Sequence, residues 1–166
     1  DMGARFTKWR AVMSIGASIP TDQCIKINAT MLARFASLSQ AAGMVPIVEP
    51  EVMLHGDHDI ARAQEMTTRT LETLFETLKD YRVDLTGIVL KSSMVLAGDA
   101  SKTQSSPEDV ADATLRVFNA AVPKEVPGVV LLSGGQTPKR ATENLQAIAG
   151  HGVQPWLITF SYSRAL

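Results

Sequence analysis

Five short apolar runs, separated by stretches of helical periodicity, constrain this chain more than any other feature. They are 11–15 (AVMSI), 44–48 (MVPIV), 87–90 (GIVL), 128–132 (GVVLL) and 156–160 (WLITF). Each is short, rich in β-branched residues and not alternating, as expected of strands buried on both faces of a parallel sheet.

Helical patterns fill the intervals. Thr21 or Asp22 can cap a helix whose apolar positions Ile27, Met31, Leu32, Phe35 and Leu38 run until Gly43 stops it. A second stripe, with Ile60, Ala63, Met66, Leu71, Leu74 and Leu78, occupies 57–80. Ser106-Pro107-Glu108-Asp109 opens a third helix, with proline in its first turn and acids at the positive end of the dipole. A fourth spans 138–149 and ends at Gly150. Strict βα alternation implies an α/β fold with a parallel sheet and right-handed crossovers. An open doubly wound sheet and an eight-unit barrel both satisfy that rule; five strands suffice for the first and fall three short of the second.

Composition narrows the function. With 166 residues the expected organisation is a single domain over 1–166. A formal charge of −1 and 5 % aromatic content predict no nucleic-acid surface. No apolar run approaches the ~18 residues of a membrane span, and the N-terminal DMGARFTKWR has no apolar core of a signal peptide. Cys24 is the single cysteine, which fits a reducing compartment, so a cytoplasmic protein without membrane contact is expected.

In both architectures ligands bind where the strands end at their carboxyl side. Polar residues gather there on one strand after another. Lys8 and Arg10 flank Trp9 at the start of the first run, and Glu49 and Glu51 follow the second in VEPE. Lys91 follows the third, Ser133-Gly134-Gly135 the fourth, and Tyr162-Ser163-Arg164 the fifth. Together they describe a site for an anionic carbonyl substrate. A lysine amine freed of its proton can form a Schiff base, and the iminium withdraws electrons from the adjacent carbon. A carboxylate such as Glu49 can shuttle the protons this requires. Ser133 offers a hydroxyl, Gly134 and Gly135 offer unobstructed N–H groups for a phosphate, and Arg164 a bidentate clamp. Singly, each has an ordinary reading: a lysine extended to water, a solvated Glu-Pro-Glu loop, a Ser-Gly-Gly turn, an unstructured terminal arginine. Their order along consecutive strands favours the site.

The segment His55-Gly56-Asp57-His58-Asp59 carries metal-ligand types, but it leads into a helix, where Asp57 or Asp59 is expected to cap; no metal site is expected. His151, beside two glycines, has no partner visible in the sequence.

FTKWR, GMVPIVEPEV, GDHDI, VLKSSMV, LLSGGQ and ITFSYSRAL, in this order and at these intervals, resemble class I fructose-bisphosphate aldolase over essentially the whole chain. The resemblance implies a (β/α)8 TIM barrel, of which about the fourth to eighth strands, some five βα units, are represented. It implies a lyase of glycolysis that cleaves fructose 1,6-bisphosphate to dihydroxyacetone phosphate and glyceraldehyde 3-phosphate without metal or cofactor. By that resemblance Lys91 is the Schiff-base lysine and Glu49 the acid/base group. Lys8 is the cation that keeps the amine reactive, with Glu51 as its acidic neighbour. Arg10 contacts substrate at the far phosphate, while Ser133, Gly134, Ser163 and Arg164 form the phosphate cradle.

The chain departs from the family pattern in two places. Ser92-Ser93 stands where Pro-Asn usually follows the lysine, and Ser163 replaces a glycine beside the phosphate. A complete barrel of ~250 residues is longer than this chain, and the first strand's aspartate, expected to deprotonate the C4 hydroxyl, has no counterpart in it. Impaired cleavage is therefore expected. A partial barrel leaves open edges, so a homo-oligomer is also expected. The alternatives are a non-catalytic phosphate-binding half-barrel or another Schiff-base sugar-phosphate lyase.

Overall fold

The computed structural model describes residues 3–163. Its elements alternate as β1 (Phe6–Met13), α1 (Asp22–Ala41), β2 (Val45–Val52), α2 (Ile60–Asp80), β3 (Val89–Ser93), α3 (Pro107–Ala121), β4 (Gly128–Leu132), α4 (Pro138–Gly150) and β5 (Leu157–Phe160), with a 3₁₀ turn at Leu85–Gly87. The five strands form one parallel sheet in the order β1-β2-β3-β4-β5.

That sequential order decides between the two architectures. A doubly wound sheet reverses its order at a switch point, whereas strands added always on one side, by right-handed crossovers, leave every helix on one face. Successive helices accordingly touch, α1 on α2, α2 on α3 and α3 on α4. The result is a wall of five parallel strands with helices α1 to α4 on one face, the arrangement of part of a TIM barrel.

Local chemistry accounts for the helix boundaries. Thr21 caps α1 by accepting from the Cys24 N–H, and Gly43, at φ +71°, turns the chain after it. Asp59 caps α2 by accepting from the Arg62 N–H at 2.8 Å. Ser106 and Asp109 close a reciprocal capping box at α3, with Pro107 in its first turn. Thr137 caps α4. The helix predicted over 57–80 thus begins at Ile60, after the cap.

The sheet's outer face carries the core. Val48, Leu90, Val129 and Leu131 are buried against helix residues such as Leu32, Leu71, Leu74, Phe118 and Ile148. Trp156 closes the far end, donating Nε1–H to the Pro123 carbonyl and meeting Phe118 edge-on at 6.3 Å. The inner face is more open, and β1 and β5, the sheet's two edges, expose Phe6, Val12, Leu157 and Phe160. Among the described residues no helix is long and apolar enough to cross a membrane.

Three of the strands take in charged residues that the apolar runs left outside. Lys8 and Arg10 lie inside β1, Glu49 and Glu51 inside β2, and Lys91 inside β3, rather than before or after them. The cause is the inner face. There polar side chains alternate with the apolar outer ones, so a continuous apolar run marks only part of each strand.

Candidate active site

Glu49 lies at the centre of the polar inner face. It is 4 % exposed, and a carboxylate that deep needs charged or hydrogen-bonding partners. Lys8 Nζ donates to its Oε2 at 3.1 Å, and Lys91 Nζ lies 3.5 Å from its Oε1. Two lysines from the flanking strands therefore share one buried carboxylate. They differ in access: the Lys91 side chain is 14 % exposed and that of Lys8 47 %.

Register produces this arrangement. Lys8 sits opposite Ile47, so its long side chain reaches diagonally along β2 to Glu49. Arg10, opposite Glu49, reaches in the same sense to Glu51, to which its Nε–H donates. That bond raises the Arg10 guanidinium above its ordinary value, against a smaller opposing effect of burial. The acidic partner of Lys8 is thus Glu49 and not the expected Glu51, because both cations lean the same way along the parallel pair. Arg10 Nη2 also lies 4.0 Å from Met53 Sδ.

Ser133 and Gly134 follow β4, one strand beyond Lys91. Ser133 is buried, and Gly134 takes φ +57°, a conformation other residues adopt at a cost. A Cβ on Gly134 would come within 2.9 Å of Leu132 Cδ1. Ser133, Gly134 and Ser93 line a small cavity of about 20 Å³ with Val52 and His58. Ser163 is exposed and follows β5, whose continuation is fixed by the Ser161 N–H donating to the Leu131 carbonyl at 2.8 Å. Arg164 lies outside the described residues.

Two loops at this end of the sheet are pinned together. The N–H groups of Gly98, Asp99 and Ala100 donate to the carbonyls of His58, Leu54 and Gly56 at 2.8, 3.1 and 2.9 Å. Asp99 adds its side chain, accepting from the Gly56 N–H at 3.0 Å and lying 2.7 Å from His55 Nδ1. The hydrogen bond with His55 holds the Asp99 carboxyl below its ordinary value. This clasp gives the His-Gly-Asp-His-Asp segment its role: Asp59 caps, His55 pairs, and His58 is buried with no hydrogen-bond partner at Nδ1. Burial lowers the His58 pKa below its ordinary value. His151, for which the sequence shows no partner, places Nε2 3.0 Å from Glu108 and 3.7 Å from Asp112, a surface contact that joins the end of α4 to α3.

Two contributors have roles that the sequence did not reveal: Ser93, noted there only as a departure from the family pattern, and Thr114. Ser93 donates its hydroxyl to the Val52 carbonyl at 3.0 Å, and Thr114, fully buried on α3, accepts from the Val95 N–H at 2.9 Å. Both hold the chain just beyond Lys91. A hydroxyl's partner across 41 residues leaves no local pattern, so only the register reveals it.

Known proteins resemble this chain in sequence and fold. The family model described as glycolytic, fructose-bisphosphate aldolase class-I, matches residues 1–166. A probable fructose-bisphosphate aldolase class 1 of Xanthomonas campestris pv. campestris is 48 % identical over 165 residues, 99 % of this chain and 49 % of the relative. Fructose-bisphosphate aldolase 4, cytosolic, of Arabidopsis thaliana is 47 % identical over 167 residues, 100 % of this chain and 42 % of the relative. Among solved structures, fructose-bisphosphate aldolase from Plasmodium falciparum, crystallised with TRAP and a small-molecule inhibitor, superimposes with a TM-score of 0.97. It is 43 % identical and covers 99 % of this chain, which covers 48 % of it. The chain spans about half the length of the curated relatives it matches. On the family match, the ordered motifs and the shared fold together, the chain belongs to the class I fructose-bisphosphate aldolase family.

Proposed function

We propose that these residues form the Schiff-base portion of a fructose 1,6-bisphosphate aldolase, with Lys91 as the nucleophile. The observation that carries the reading is the sharing of buried Glu49 by Lys91 and Lys8. Lys91 Nζ adds to the ketone carbon of the sugar phosphate, its proton passing to Glu49. The resulting carbinolamine loses water once its hydroxyl is protonated, and Glu49 is placed to return that proton. Lys8, on the other carboxylate oxygen, stabilises the ionised form of Glu49 and the developing alkoxide. Arg10, held by Glu51, serves the far phosphate; the Ser133 hydroxyl, the N–H groups of Gly134 and Ser163, and Arg164 serve the near one.

Cleavage of the carbon–carbon bond needs a base at the C4 hydroxyl, which the family pattern puts on the first strand of the barrel. This stretch alone therefore forms the Schiff base and cleaves slowly. A cytoplasmic setting is supported by the name of the Arabidopsis relative. The apolar edge strands β1 and β5 support association with a second copy; light scattering that reports a compact monomer would contradict it.

The experiment is incubation with dihydroxyacetone phosphate and borohydride, followed by intact mass. One reduced adduct per chain is expected. Phosphate binding by a folded protein without any adduct would instead select a non-catalytic phosphate-binding half-barrel.

A further inference from the structure

β2 and β3 are joined differently from their neighbours. β1 and β2 pair in register over eight residues, from Phe6↔Val45 to Met13↔Val52, and β3 and β4 over five, from Val89↔Gly128 to Ser93↔Leu132. Between β2 and β3 only Ile47↔Val89 and Val48↔Leu90 pair. The pairing therefore stops one residue before Glu49 and Lys91. Pro50 contributes to the gap, since it has no N–H to donate.

Beyond the gap a side chain takes over. Ser93, 6 % exposed, donates its hydroxyl to the carbonyl of Val52, 7 % exposed, at 3.0 Å. At ~3.3 Å per residue this bridge lies roughly 7 Å along β3 from Lys91 and 10 Å along β2 from Glu49. Glu49 and Lys91 are thus bracketed, by ladder pairing on one side and by one buried hydroxyl on the other. The chain after Ser93 is itself anchored where Thr114 accepts from the Val95 N–H.

We infer that Ser93 is a positioning residue that keeps the carboxylate of Glu49 within proton-transfer reach of Lys91 Nζ across the unpaired stretch. The catalytic meaning of this inference rests on Lys91 being the Schiff-base nucleophile; the mechanical claim does not. Ser93 is then a working substitute at a position where the resemblance leads one to expect asparagine.

The test needs no substrate. The 166-residue chain is acylated with limiting acetic anhydride at fixed pH, and labelling of Lys91 is read by peptide mass spectrometry against exposed Lys139. Ser93→Ala, shown folded by circular dichroism, should raise Lys91 labelling about three- to tenfold, the scale of one lost buried hydrogen bond. Lys139 should not change, and Ser93→Thr should restore the parental value. Glu49→Gln should raise labelling alone, and adding Ser93→Ala to it should have no further effect. Ser93→Cys, a weaker donor of similar size, should fall between and replaces Ser93→Ala if that variant does not fold. Unchanged labelling in the Ser93 variants, no rescue by threonine, or an equal effect in the Glu49→Gln background would each overturn the inference. Absence of a borohydride adduct in the parent would remove the aldolase reading while leaving this outcome to stand on its own.

Discussion

Lys91 Nζ lies 3.5 Å from Oε1 of Glu49, on a carboxylate whose other oxygen is already held by Lys8 at 3.1 Å. A buried carboxylate held between two lysines can exchange a proton with one while the other keeps it in place. Glu49→Gln keeps the shape and removes that capacity. Adduct formation with dihydroxyacetone phosphate should slow by about 10²- to 10⁴-fold, the usual range for a lost acid/base group. Rapid trapping in this variant would move the role elsewhere.

Lys8 is expected to matter less than Glu49. Lys8→Met removes one charge-assisted bond to the carboxylate, worth ~1.5–3 kcal/mol, hence about ten- to a hundredfold in trapping rate. Glu51→Gln, which loosens Arg10, should leave adduct formation near the parental rate and weaken only binding of the bisphosphate. Comparing trapping with a monophosphate and with a bisphosphate separates the two pairs.

Gly98 tests the clasp between the loops that follow β2 and β3. A Cβ there would stand 2.1 Å from the Gly56 carbonyl oxygen and 3.1 Å from His58 Cε1. Backbone cannot yield as a flexible side chain would, so Gly98→Ala should destabilise by about 1–3 kcal/mol. Denaturant midpoints measure this, and an unchanged midpoint would mean the loops part easily.

His58 should make stability depend on pH. Burial holds its folded-state pKa below the ordinary 6.5, opposed more weakly by Asp57, Asp59 and Asp99. Below 6.5 the unfolded chain therefore binds more protons than the folded one. This contribution to stability is complete above 6.5 and is lost as pH falls through the lower folded value. Unfolding midpoints at pH 7.5 and 5.5 should differ more for the parent than for His58→Gln; equal differences would contradict the assignment.

Helix boundaries were legible because their signals are local. Of the candidates Thr21 or Asp22 and Asp57 or Asp59, Thr21 and Asp59 cap, and Ser106-Pro107 opens α3 as the pattern puts it; each acts within one turn. Strand ends were less legible. Lys8, Arg10, Glu49 and Glu51 read as flanking loops because charge interrupts an apolar run, and Pro50 reinforces that impression. On the inner face of a barrel wall those residues remain extended, since it is the outer face that meets the helices. The pairing of Lys8 with Glu49, and of Arg10 with Glu51, was out of reach for a different reason: it depends on register between segments 41 residues apart. Ser93 looked like a departure from the family pattern, and its carbonyl partner emerges only once β2 and β3 lie side by side.

The most direct test is to locate the trapped adduct. After borohydride reduction with dihydroxyacetone phosphate, digestion and peptide sequencing by mass spectrometry should find the added mass on Lys91, and Lys91→Arg should abolish it. Label on Lys8, or spread over exposed lysines such as Lys102 and Lys139, would contradict Lys91 as the Schiff-base nucleophile.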